Sequence, residues 1–117
     1  MGLRDALSSR DGANSHVRRV LVATDRSETA AHAESWAAEM ANRYEAELVL
    51  VRVVVPPASP STAMTEELAR HAQELAGERG RGTVVVGDDP GKAIVEAAET
   101  EDVDVVVVGN VGMSGRK

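Results

Sequence analysis

A chain of 117 residues makes one small domain. It carries no Cys, no Phe, one Trp and one Tyr within an apolar share of 43%, so its core rests on Val and Ala, and disulfides and thiolate metal sites are excluded. A net charge of −6 argues against a nucleic-acid-binding face, and no run approaches the roughly 18 apolar residues of a membrane span.

The opening "MGLRDALSSRDGANSH" is polar and lacks the apolar stretch of a secretory signal. Ala6 stands where a myristoylation site needs Ser or Thr. Residues 1–16 are expected to be a flexible leader, and 17–117 a single domain of cytoplasmic type. "VRRVLVAT" (17–24) then reads as a buried strand. After "DRSET" a helical pattern begins, with Ser27 as N-cap and Ala33, Ala37, Met40, Ala41 and Tyr44 on its inner face. "AELVLVRVVV" (46–55) is a second strand, closed by the breaker "PPASPS". A second helix is expected over 62–79, turning Met64, Leu68, Ala72 and Leu75 inward. A third strand lies in 80–87, and Asp89 as N-cap with Pro90 at the first helical position opens a third helix. "VDVVVVG" (103–109) is the fourth strand.

Strands and helices alternate over short connections, and the near-continuous Val runs indicate strands covered on both faces. The expected fold is a doubly wound α/β domain with a parallel sheet. Such sheets bind ligands beyond the carboxyl ends of their strands. The ends to inspect are Thr24-Asp25, Arg52-Val53, Gly87-Asp88 and Gly109-Asn110.

Asp25 sits between a strand and a helix start, where a carboxylate can hold a ribose hydroxyl or a cation bridging phosphates. "DRS" is equally ordinary helix-start chemistry. Gly109 and Gly112 follow a four-Val run, and a turn without Cβ atoms lets backbone N–H groups surround an anion. Ser114, Arg116 and Lys117 add donors and positive charge there. "GDDPGKA" (87–93) fails as a phosphate loop: it is one residue short, and Ala93 replaces the required hydroxyl. Lys92 therefore reads as a solvated helix residue. His16, His32 and His71 lack partners at metal-ligand spacing, and His32 and His71 are expected on helix surfaces. No hydrolase arrangement is present.

Four stretches resemble the universal stress protein family: "RRVLVATDRSETA", "AELVLVRVV", "VVVGDDPGKAIVEAAE" and "DVDVVVVGNVGMSGRK". The resemblance implies a doubly wound sheet of order 3-2-1-4-5, commonly dimeric, in a family with ATP-binding and non-binding members. It implies nucleotide contacts from Ala23, Thr24 and Asp25, from Val53 beside the adenine, and from Val108, Gly109, Asn110, Val111, Gly112 and Ser114 around ribose and phosphates. ATP would come with Mg²⁺ or Mn²⁺, held by the phosphates with Asp25 contributing indirectly. Arg52 stands where the family often has His.

In the family the phosphate motif continues for nine residues past the second glycine before another Gly, and here the sequence ends at Lys117. The expectation is that the second half of this clamp, the last helix and the fifth strand are missing. The fourth strand would then be an exposed edge that favours a homodimer or edge-strand oligomer. Two functions compete under this resemblance. One is a stress-response regulator that binds adenine nucleotide with little or no turnover. The other is a non-binding member that works through protein contacts. A receiver-like phosphoacceptor is a distant third, since "TDRS" offers one carboxylate where two are needed.

Overall fold

A computed structural model describes residues 17–109. The element order is β1 (Arg19–Ala23), α1 (Glu28–Tyr44), β2 (Glu47–Val54), α2 (Thr62–Ala76), β3 (Gly80–Val86), α3 (Pro90–Glu101) and β4 (Val105–Val108). The strands form one parallel sheet of order β3-β2-β1-β4. The expected topology is therefore observed, with strand boundaries drawn in by one or two residues except at Gly80, where β3 begins as expected.

The helix starts follow local chemistry. Ser27, Ser61 and Asp89 each accept a hydrogen bond from a first-turn backbone N–H, of Ala30, Met64 and Lys92 respectively. The second helix stops at Ala76, short of the expected residue 79, because the chain tightens into a 3₁₀ turn over Gly77–Arg79. That turn has a purpose. Arg79 donates to the carbonyls of Ala41 and Ala46 and to Asn42 Oδ1, so it satisfies the C-terminal end of α1.

The sheet's two faces are dressed unequally. On one, α1 and α2 bury Val20, Val22, Leu48 and Leu50 beneath Ala37, Ala38, Ala41, Leu68 and Ala72. On the other, α3 alone among the described residues covers Leu21, Val49 and Val51. The expectation of strands covered on both faces holds for β1 and β2 and fails for β4 within the described residues. There Val105 and Val107 pack inward, while Val106 and Val108 are 43% and 52% exposed. Tyr44 also departs from expectation. It is exposed on the outer side of α1 with Trp36, which is 59% exposed.

At the opposite end of the sheet from the candidate site, Asp104 Oδ2 accepts from the backbone N–H groups of Arg18 and Arg19 and ties the entry of β4 to that of β1. Arg19 in turn reaches Glu47 at 2.8 Å.

Candidate functional site

A cavity of about 290 Å³ opens where the carboxyl ends of β1, β2 and β4 meet the N-terminal ends of α1 and α3. That size lies at the small end of ligand sites. Its floor is apolar, built by Ala23, Val51, Val53 and Val108 from three adjacent parallel strands. Ile94 and Pro90 of α3 close one side. The polar lip comes from Thr24, Asp25, Ser27 and Thr29, at the turn into α1. A flat apolar floor with a polar rim suits a planar heterocycle carrying hydroxyl or phosphate groups.

The turn itself is tightly specified. Thr24 N–H continues the ladder to Val51 O at 2.9 Å. Thr24 Oγ1 then accepts from Arg26 N–H at 3.0 Å, and Asp25 Oδ1 accepts from Ser27 N–H at 2.9 Å. Arg26 occupies the left-handed region with φ of 67°, unusual for a residue with a Cβ. Two side-chain acceptors thus hold this bend in the chain. Asp25 is exposed, and its carboxyl is held below the usual carboxylate range, chiefly by hydrogen bonds from the Ser27 side chain and backbone, with a small contribution from the charge of Arg52. It is a stable anion at neutral pH, at once helix-start chemistry and part of the cavity lip.

Of the residues singled out from the sequence, Ala23, Thr24, Asp25, Val53, Val108 and Gly109 all line this one cavity. Gly109 earns its identity by a close approach. A Cβ there would lie 3.1 Å from Thr29 O and 3.4 Å from the Ala33 Cβ, so β4 can end directly against α1. Asn110, Val111, Gly112 and Ser114 lie outside the described residues, as do Arg116, Lys117 and the 1–16 segment. Lys92 is exposed and Asp89 caps α3, in keeping with the ordinary reading of "GDDPGKA". That capping role also leaves Asp89 unlike a free phosphoacceptor. Among the described residues no group of three or more His, Asp or Glu forms a metal cluster, and no helix is long and apolar enough to cross a membrane.

Sequence reading missed Ser27, Thr29, Ala30, Val51, Pro90 and Ile94 as lining residues. The signal was available, since the caps at Ser27 and Asp89 place two helix N-terminal ends beside the strand ends. It also placed His71 on a helix surface, which the structure corrects. His71 is largely covered, because its Nε2 lies 2.6 Å from Oε1 of the buried Glu34.

Several solved structures share this architecture. A universal stress protein crystallised in complex with cAMP superposes with a TM-score of 0.70 at 28% identity, covering 86% of this chain and 81% of its own. A protein from Mycobacterium tuberculosis H37Rv gives 0.66 at 30% identity, covering 84% and 75%. A universal stress protein family member from Burkholderia pseudomallei gives 0.61 at 29% identity, covering 87% and 88%. Among curated proteins none is similar enough to be matched. The family model described as universal stress protein family matches residues 16–117. With the 3-2-1-4 parallel sheet and the strand-end cavity, this shows that the chain belongs to the universal stress protein family.

Proposed function

We propose that this cavity binds an adenine nucleotide and that the protein is a stress-response regulator with little or no turnover. The observation that carries the reading is the convergence of Ala23, Thr24, Asp25, Val53, Val108 and Gly109, from three strand ends, on one apolar-floored cavity with a polar lip. The cAMP bound by a similar protein supports the adenine part. Val53, Val51 and Ile94 offer the surface for a base. Asp25 would meet a ribose hydroxyl, or a Mg²⁺ or Mn²⁺ ion carried by ATP phosphates, since a bare phosphate would be repelled by its charge. Asn110, Val111, Gly112 and Ser114 are proposed to hold the phosphates.

Slow chemistry follows from the same lining. Asp25 is the one titratable side chain among the described lining residues, and a carboxylate held below its usual range is a weak general base. Equilibrium titration with Mg-ATP and with cAMP tests the reading. Micromolar binding, weakened on the order of tenfold by Asp25→Ala, is the expected result. Absence of binding by a folded chain would overturn it.

The competing reading is action through protein contacts. Val106 and Val108 are exposed on the β4 side of the sheet, and Trp36 and Tyr44 on the outside of α1. Association of copies through the β4 edge is proposed on the same ground. Nucleotide carried through purification favours the first reading. A concentration-dependent sedimentation coefficient with no nucleotide favours the second.

A further inference from the structure

Behind the cavity wall lies a chain of polar side chains that the site itself does not use. Thr24 is 5% exposed and its hydroxyl donates to Glu34 Oε2. Glu34, on α1, is 3% exposed. Its other oxygen meets His71 Nε2, on α2, at 2.6 Å. His71 Nδ1 faces Glu74 Oε1 at 3.4 Å. Both ring nitrogens therefore point at carboxylate oxygens, and only an imidazolium can donate at both. A carboxylate this deeply buried needs a charge partner. Arg26 is the nearest alternative, with its guanidinium 3.7 Å from Glu34 and 4.0 Å from Glu67.

We propose that Glu34 and His71 are positioning residues for the cavity, and that protonation of His71 strengthens binding of an anionic nucleotide at the Thr24–Asp25 lip. The inference rests on the nucleotide reading above. With His71 charged, the buried Glu34 carboxylate is neutralised and holds the Thr24 hydroxyl. Thr24 in turn receives Arg26 N–H and sets the bend that presents Asp25 and Ser27. Loss of the proton leaves a buried negative charge one hydrogen bond behind the cavity wall, where it opposes an incoming phosphate. The charged groups around His71 are Glu34 from α1, Arg26 from the β1–α1 turn, and Glu67 and Glu74 from its own helix. On the sheet beneath, β2 offers Arg52, whereas Glu47 and Arg81 lie on the other face, paired with Arg19 and Glu101. The histidine is the member of this set that ordinarily changes charge between pH 5 and 8.

The probe is cAMP, whose single phosphodiester charge stays constant across that range, titrated into the whole chain at pH 6, 7 and 8. Wild type should bind more tightly at pH 6 than at pH 8, on the order of fivefold. His71→Gln should bind at every pH with the wild-type affinity of pH 8, and Glu34→Gln should also give a flat profile. His32→Gln, on the exposed side of α1, should keep the wild-type slope. Circular dichroism melts confirm that each variant is folded. An unchanged slope in His71→Gln overturns the inference and leaves the nucleotide site standing. Failure of cAMP and Mg-ATP to bind at any pH overturns both. Without ligand, the amide resonances of Thr24 and Arg26 should follow the imidazole titration of His71, and amides that ignore it also overturn the coupling.

Discussion

The two faces of the sheet solve the same problem with different thoroughness. Under α1 and α2, the β-branched and Leu side chains of β1 and β2 meet a pavement of Ala, and Val20, Val22, Leu48 and Leu50 are fully buried. Under α3 the covering is a single helix among the described residues, and Val106 and Val108 stay exposed on that face. The close packing of the first face depends on small residues. Gly80 and Gly82 let β3 run against α2 so tightly that an added Cβ would fall 2.0 Å from Ala72 O and 2.7 Å from Leu68 Cγ. The cavity lies at the end of the sheet where the densely covered layer meets the sparsely covered one. Its polar turn belongs to the first, and its apolar side wall of Pro90 and Ile94 to the second.

The sharpest way to break that contrast is at β3. Gly80→Ala should destabilise by about 3 kcal/mol, because the clash is with backbone that cannot step aside, whereas Gly82→Ala meets the buried Leu68 side chain first and its backbone at 3.1 Å, and should cost about 2 kcal/mol. Chemical denaturation midpoints at constant slope measure both. Next comes a matched pair of residue type on the two faces. Val22→Ala, in the fully buried layer, should cost about 2 kcal/mol, and Val106→Ala less than about 0.5 kcal/mol. Equal costs would mean that β4 is covered in solution, as it would be in an associated state. Val106→Lys sharpens this further: it should leave stability nearly unchanged while lowering any self-association seen in sedimentation.

The smallest expected effect is electrostatic. Asp25 has its folded-state value lowered by Ser27, so its stabilising contribution is present at neutral pH and is lost as acid protonates it below about pH 4. The stability difference between wild type and Asp25→Ala should therefore shrink on acidification. A difference that grows with acid would reverse the sign of this account.

The sequence made the scaffold legible because its signals were local. Unbroken Val runs marked the parallel strands, and Asp89-Pro90 and Ser27 marked two helix starts, each confirmed by a side-chain cap. The strand-end rule alone points to Thr24, Asp25, Val53 and Gly109. What escaped depended on pairs distant in the chain. Glu34 and His71 are 37 residues apart, and each alone looks like a solvated helix residue. Arg79 finds the end of α1 from 38 residues away. Tyr44 fitted the inward period, yet it falls in the last turn of α1 and is exposed, as is Trp36.

The position of Trp36 has an optical consequence. The chain's one indole stands in water on the outside of α1, about two helical turns from the cavity-lining Ala30. Its emission in the folded state should already be red and readily quenched by iodide, so unfolding will shift it little and a bound ligand will scarcely touch it. Melts followed by tryptophan fluorescence would understate cooperativity that backbone dichroism reveals. An Ile94→Trp, Trp36→Gln chain would move the lamp to the cavity wall, where occupancy can be read directly.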